Sequence, residues 1–386
     1  MIIVSTIIIA LYSFLIIAFI VGFDRIQNSN LISTIPKTKF SIVIPFRDEA
    51  ENLKTLLESL SLLNYPVELF EVLLIDDDSK DESVEIINDF LNKSLDEACL
   101  ERSRKARGDI NILKNKRKSN SPKKDAVEIA IKNSRFDWII TTDADCIIPQ
   151  NWLLNFDAYI QTHQVKLIAA PVKYSSSNSL LDQFQLLDFL SLQGSTIGSY
   201  GVGKPFMCNG ANLCYEKQTF IDVNGFDGNE HIASGDDIFL LEKIGLQNPN
   251  EVYFLKSDQS IITTNPEATF KKLISQRVRW AAKSTSYNNS FSILVSVAVF
   301  SVNALLILLF LGSIIGYYSW WVFIIFFLIK FCIDFILLFK TASFFKKQSV
   351  LKHYVWSSIV YPIYTIFIAL TSFTISYSWK GRVYKK

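Results

Sequence analysis

The chain has 386 residues and a formal net charge of +2, with 49% hydrophobic and only 20% charged side chains. That length holds one large domain or two modest ones. Five scattered Cys (Cys99, Cys146, Cys208, Cys214, Cys332) argue against a disulfide framework, and three His argue against a His-based zinc site.

The apolar excess is concentrated. Met1 to Phe23 carries no charge and fits one bilayer span, which needs about 20 apolar residues. A cleaved signal peptide would show a basic start and a small-residue cleavage site, so a retained anchor is the better reading. Residues 24–39 form a polar linker. Strands and helices then alternate: strand Phe40–Pro45, helix Glu49–Leu63, strand Phe70–Ile75, helix Ser83–Leu91, strand Ile110–Leu113, helix Lys123–Lys132 and strand Asp137–Thr142. Such alternation predicts a mostly parallel sheet covered on both faces, with ligands beyond the strands' carboxyl ends. Residues 101–124 hold ten Lys or Arg and read as a solvated face. Without interleaved aromatics they do not suggest nucleic-acid binding, while attraction to anionic lipid headgroups stays open. Ser284 to Ile329 is long and uncharged enough for two spans, with a break near Gly316 to Ser319, and Tyr354 to Trp379 fits a third segment. Lys330 and Asp334 lie inside an apolar span at i, i+4. They read as a mutually neutralising pair or as a lining for an acceptor path.

The acids follow the strands. Thr141-Thr142-Asp143-Ala144-Asp145 comes after the apolar run Trp138-Ile139-Ile140. On an extended backbone the two carboxylates would share a face, and a hard divalent ion would hold them together. Asp76-Asp77-Asp78-Ser79 follows strand FEVLLI, suited to a base or ribose, or with Asp78 or Ser79 capping the next helix. Lys123-Lys124 opens a helix, where a Lys suits phosphate or simply lies on the surface. Asn209-Gly210-Ala211-Asn212 permits close approach to a ligand, or makes a turn. Asp236-Asp237 opens helix Ile238–Ile244 as a cap or a general base. Gln276, Arg279 and Trp280 fall on one helix face, offering an amide, a guanidinium and an indole, or anchoring the helix at a membrane interface.

In this order and context the motifs resemble the family 2 glycosyltransferases, from about Phe40 to Trp280, with flanking spans like those of membrane-bound members. The resemblance implies an α/β GT-A fold, Rossmann-like with a mostly parallel sheet, carrying transmembrane helices at both ends. The domains expected are an anchor (1–23), a linker (24–39), a GT-A domain (40–283), a C-terminal membrane region (291–379) and a basic tail (380–386). SIVIPFRDEAENL, VLLIDDDSKDES, PKKDAVEIA and TTDADC are similar to the family's nucleotide-sugar segments. They imply Pro45, Arg47, Glu49, Asp76, Asp77, Lys124, Asp143 and Ala144 for the donor. Asp143 and Asp145 are implied as ligands of Mg²⁺ or Mn²⁺. SGDD stands where the family often has Thr-Glu-Asp, which implies Asp237 as base beside Asp236. QRVRW matches Gln-x-x-Arg-Trp and implies Gln276, Arg279 and Trp280 near acceptor and diphosphate. Asp78 replaces the family's usual Gly, which puts the turn geometry in question.

The expected activity is inverting transfer from a nucleotide sugar, most readily a UDP-sugar, to a lipid or lipid-linked acceptor. It would act at the cytoplasmic face of a bacterial plasma membrane. A polysaccharide synthase subunit is the alternative, and a non-catalytic nucleotide-sugar-binding scaffold a more distant one. Lys340 to Lys352 carries four Lys and no acid, which places that loop in the cytoplasm. The tail basic residues Lys380, Arg382, Lys385 and Lys386 want the same side. Either Pro362 makes the last segment re-entrant or interfacial, or the tail is external. Trp379-Lys380-Gly381-Arg382 is similar to the C-terminal signature of some lipid-directed membrane glycosyltransferases.

Overall fold

The run FSIVIPF is rich in β-branched and aromatic side chains and has no polar stripe. It forms β1 (Phe40–Phe46), buried along almost its whole length, as a strand covered on both faces must be. In α2 (Ala50–Ser61), Leu53, Leu56, Leu57 and Leu60 recur at helical spacing and are all buried. β2 (Phe70–Asp76), α3 (Ser83–Asp96), β3 (Asp109–Lys114), α4 (Pro122–Asn133) and β4 (Trp138–Thr141) complete the expected alternation.

The computed structural model describes residues 2–29, 34–96, 109–175, 177–283, 289–374, 377–379 and 382–384. The tail cations Lys380, Lys385 and Lys386, Cys99 and most of the basic stretch before 109 lie outside these residues. The chain divides into two units. One comprises Gln27–Ser175 and Met207–Asn265; the other comprises Met1–Ile26, Ser176–Phe206 and Pro266–Lys386.

The first unit adds α5 (Trp152–Thr162), β5 (Leu167–Ala169), β6 (Val172–Tyr174), β7 (Leu213–Glu216), α7 (Lys217–Asp222), α8 (Asp236–Gln247), β8 (Val252–Phe254) and β9 (Ile262–Thr264). Its main sheet has the order β3-β2-β1-β4-β7-β5-β8. β3, β2, β1 and β4 are parallel neighbours, while β7 runs antiparallel to both β4 and β5. Successive strands step from β1 out to β3, then return to the other side of β1 with β4. The order therefore reverses between β1 and β4, and ligands bind at such a reversal, beyond the carboxyl ends.

The second unit holds α1 (Ile2–Arg25), α6 (Leu180–Gly201), α9 (Phe270–Ala282), α10 (Ser290–Ile314), α11 (Trp320–Phe344) and α12 (Tyr354–Thr374). A hairpin of β10 (Tyr377–Trp379) and β11 (Arg382–Tyr384) closes it. Among the described residues four helices are long and apolar enough to cross a membrane: Ile2–Arg25, Ser290–Ile314, Trp320–Phe344 and Gln348–Thr374. Asp24 and Arg25, expected in the linker, stay helical. Lys340 Nζ donates to both carboxylate oxygens of Asp24 at 2.9 Å, joining the C-terminal ends of α11 and α1. Lys330 Nζ lies 2.5 Å from Asp334 Oδ2, and the Tyr12 hydroxyl donates to Asp334 Oδ1 at 2.8 Å. These intramembrane charges neutralise one another.

Within residues 40–283, α6 and α9 group with the apolar helices rather than with the sheet. The reason is packing. α6 presents Gly198 to α1 so closely that a Cβ there would stand 2.4 Å from the Phe19 carbonyl oxygen. A Cβ at Gly22 would stand 2.0 Å from the carbonyl oxygen of Gly198. Only glycine lets two helix backbones approach this way. α9 buries Leu273 and Val278 against Phe184 of α6 and Tyr364 and Ile368 of α12. Gly198→Leu should therefore lower the melting temperature in detergent, with an overpacking cost of about 1–3 kcal/mol or more. An unchanged melting temperature would show that the contact can relax.

Candidate active site

Each parallel strand of the main sheet delivers polar groups at its carboxyl end. Pro45 pairs in register with Ile75, and β1 and β2 finish together at Phe46 and Asp76. Arg47 Nη1 then donates to the Asp77 carbonyl at 2.9 Å, and Asp48 Oδ1 accepts the Lys80 N–H at 2.7 Å. Glu49 is the N-cap residue of α2 and accepts from Asn52 Nδ2 at 2.7 Å. The loops after β1 and β2 are thus laced to each other.

After β2, Asp76 Oδ1 accepts the Ser79 N–H at 2.9 Å and closes a turn. Asp77 Oδ1 accepts from Arg117 Nε at 2.7 Å and Asn115 Nδ2 at 2.9 Å. Asp78 sits at φ +65°, the left-handed region that glycine serves most easily. Aspartate visits it at modest cost, so replacing the family's usual Gly preserves the turn. The hydrogen bond and charge of Lys80 hold the exposed Asp78 carboxyl below its ordinary range. Neither Asp78 nor Ser79 opens the following helix; α3 begins at Ser83, whose N–H is taken by Asp81 Oδ1 at 3.1 Å.

The strand pattern does not continue through Thr142-Asp143-Ala144-Asp145. β4 ends at Thr141, and the Cys146 N–H donates to the Asp143 carbonyl at 3.3 Å, closing a turn. The two carboxylates are neighbours because of this turn rather than by sharing a strand face. Ala144 is buried inside it. Asp145 Oδ2 accepts from the Thr264 hydroxyl at 3.0 Å. Burial first, then the charges of Asp143 and Glu49, push the Asp145 carboxyl up to about 6.

Lys123 occupies the centre of this cluster. Its Nζ lies 2.8 Å from Asp143 Oδ1 and 3.3 Å from Asp236 Oδ2, at the start of α8. Burial works to lower its pKa, but the charges of Asp143, Asp236 and Asp237 together outweigh that and hold it above the ordinary lysine range. Lys124, the residue the family pattern implied, turns away. Its ammonium donates to the carbonyls of Asn229 and Ile232 at 2.7 and 3.0 Å and lies 4.8 Å from the Phe239 ring centroid. Consecutive helix positions point about 100° apart, so only one of the two lysines faces the acids. Nothing in the spacing says which.

Asp237 Oδ2 accepts the Gly210 N–H at 3.1 Å, and its Oδ1 accepts the Ile238 N–H at 2.8 Å. Asp237 lies in the first turn of its helix, after the N-cap Gly235, and these two bonds fix its orientation. A Cβ at Gly210 would stand 3.2 Å from Asp236 Oδ2 and 3.5 Å from Lys123 Nζ, so glycine lets the backbone close on the acids. The Thr141 hydroxyl donates to the Gly210 carbonyl at 2.6 Å, tying this turn to β4. The structure thus brings together Asp143, Asp236, Asp237 and Gly210 around Lys123, with Asp145 beside Asp143. It adds Asn115 and Arg117 as the partners of Asp77, two residues that had read as part of a solvated basic stretch.

Gln276, Arg279 and Trp280 lie on α9 in the second unit, each half-buried. Gln276 Nε2 donates to Glu267 Oε1 at 2.9 Å. The Trp280 ring centroid lies 4.2 Å from the Arg277 guanidinium carbon.

Two family models match, described as Glycosyl transferase family 2 over residues 41–213 and Glycosyl transferase family group 2 over residues 138–377. Glycosyltransferase AglE of Haloferax volcanii is 24% identical over 249 residues, covering 64% of this chain and 73% of its own. Poly(ribitol-phosphate) beta-N-acetylglucosaminyltransferase TarS of Staphylococcus aureus is 25% identical over 137 residues, 35% of this chain but 21% of its own length. Among solved structures, the mannosyltransferase PcManGT of Pyrobaculum calidifontis, in complex with GDP-Man and Mn²⁺, aligns with a TM-score of 0.52 at 14% identity. That alignment covers 92% of this chain and 98% of the other. Both matched spans include β4 and the acid turn that follows it, and the second covers more than half of the chain, so the protein belongs to the family 2 glycosyltransferases.

Proposed function

We propose that the protein transfers a sugar, with inversion, from a nucleotide-sugar donor to a lipid or lipid-linked acceptor at the cytoplasmic face of the membrane. The observation that carries this reading is the cluster at the carboxyl edge of β4, where Asp143, Asp236 and Asp237 surround Lys123 and Asp145 adjoins Asp143. Asp77, held by Asn115 and Arg117, would accept from the nucleoside. Lys123 offers a fixed positive charge to a diphosphate. Gln276, Arg279 and Trp280 keep the acceptor and diphosphate roles that the family resemblance implies.

The donor set suits a hard divalent ion, Mg²⁺ or Mn²⁺. Asp143 and Asp145 are oxygen donors, and the burial and neighbouring negative charge that raise Asp145 are what a cation relieves. Among the described residues no group of three or more His, Cys, Asp or Glu is placed to hold a metal by itself. The ion would thus need substrate diphosphate oxygens as well, as Mg²⁺-type sites commonly do. When bound, it would offset charge on the departing diphosphate. Asp237 takes the acceptor hydroxyl's proton, oriented for this by the Gly210 N–H. An α-linked donor then gives a β-linked product. The match to TarS favours a second reading, in which the acceptor is a polymer.

The charges also support a topology. The Asp24–Lys340 pair sets the C-terminal ends of α1 and α11 on one face, and Phe19 packs 6.2 Å from Phe291 at the start of α10. Tyr364 and Ile368 of α12 pack on α9, which carries Lys271, Lys272, Gln276 and Arg279, and β10 touches α9 as well. So polar a helix belongs at the interface. α12 is then an interfacial helix; it runs unbroken through Pro362, so that proline does not fold it into a re-entrant hairpin.

Asp237→Asn should leave nucleotide-sugar binding near normal and lower kcat about 10²–10⁴-fold, the usual worth of general-base help. Turnover within a few-fold of wild type would remove Asp237 from the role. Metal-dependent release of nucleoside diphosphate from a panel of nucleotide sugars tests the enzymatic reading itself; none from any donor would favour a scaffold. A reporter fused to the C-terminus should be active on the cytoplasmic side only, and periplasmic activity would instead establish a fourth span.

A further inference from the structure

We propose that Arg277, anchored by Asp188, is the positioning residue that holds Gln276 and Trp280 in working orientation. Arg277 is an unassigned position within Gln-x-x-Arg-Trp, and its side chain and that of Asp188 are each only 6% exposed. Arg277 Nε donates to Asp188 Oδ2 at 2.8 Å. Its Nη1 donates to Gln276 Oε1, and its guanidinium carbon lies 4.2 Å from the Trp280 ring centroid. One cation therefore contacts both the amide and the indole of the signature. The far end of the Gln276 amide is held by Glu267 Oε1 at 2.9 Å. Glu267 is itself held to α6: its N–H donates to Gln185 Oε1 at 2.9 Å, and its carbonyl accepts Gln185 Nε2 at 2.9 Å. Gln185 and Asp188 are three residues apart on α6, so one face of α6 fixes both the entry and the middle of α9.

Stability alone does not call for this arrangement. A buried ion pair carries a desolvation cost that often cancels its attraction, and apolar replacements of similar volume are frequently as stable. α9 already docks through Leu273 and Val278. What the pair supplies is geometry. The planar guanidinium can bond a carboxylate, bond an amide and lie along an indole at once, whereas a Lys ammonium is a single point charge.

The inference rests on the reading that Gln276 and Trp280 serve transfer. The test uses the full chain in detergent, with release of nucleoside diphosphate from the most active donor of a nucleotide-sugar panel and vesicles of host-membrane lipid as acceptor. The seven Trp are labelled with 5-fluorotryptophan, and the Trp280 ¹⁹F resonance is assigned with Trp280→Phe. Arg277→Met combined with Asp188→Leu removes the pair together. Arg277→Lys keeps the charge beside Asp188 and loses the fork. Both should keep the melting temperature, shift or broaden the Trp280 resonance and lower kcat about 10²-fold, the scale of a misplacement near 1 Å. A folded Met/Leu variant with turnover within about twofold of wild type would overturn the proposal. If that variant does not fold, Arg277→Lys decides by the same two readouts. If Gln276→Ala and Trp280→Ala leave turnover unchanged, the transfer role of the signature falls. The ¹⁹F response to Arg277→Lys then decides positioning separately.

Discussion

Like charges cannot be gathered at one edge of a sheet without something positive between them. Here that something is the Lys123 ammonium, shared by Asp143 and Asp236 at 2.8 and 3.3 Å. The rest of the first unit is arranged to make this sharing possible. β1 and β4 are parallel neighbours, so the loops that follow them open on the same side. β7 runs antiparallel to β4 and brings Gly210 back to that side, where its N–H fixes Asp237. One internal cation serves several carboxylates, so the cluster keeps an excess of negative charge. That excess is the physical reason to expect a divalent ion and a substrate diphosphate to complete it.

The second unit solves a different problem with similar means. Among the described residues four of its helices are apolar enough to cross a membrane, where a lone charge is expensive. Each buried ion named there has a partner: Lys330 with Asp334, Arg277 with Asp188. Backbone contact through Gly22 and Gly198 packs α6 against α1 without relying on charge. Because α6 carries both Gly198 and Asp188, the seat of α9 and the anchoring of α1 depend on the same helix.

Much of the first unit could be read in advance. The buried strands FSIVIPF and FEVLLID and the Leu spacing of α2 declare themselves, since periodicity is local and needs no partner. So do the acids after each strand. The extended geometry assigned to Asp143 and Asp145 was not right, because a hydrogen bond from Cys146 back to Asp143 turns the chain there. Lys123 could not be told from Lys124, since the choice depends on which flank of α4 meets the acids. The worth of Arg117 and Asn115 was hidden in a run of cations, because only the parallel register of β3 with β2 carries them to Asp77. α6 read as part of the catalytic domain because its polar residues mask an apolar face whose partners, α1 and α11, are distant in the chain.

The most direct measurement is the affinity of the full chain in detergent for a nucleoside diphosphate, titrated with Mn²⁺ and repeated in chelator, for wild type and Asp145→Asn. If the acids after β4 hold the diphosphate through a shared cation, Mn²⁺ tightens binding in wild type by at least about tenfold, roughly 1.4 kcal/mol. In Asp145→Asn that gain disappears. Equal affinity with metal and with chelator, or a metal effect that survives Asp145→Asn, would contradict it.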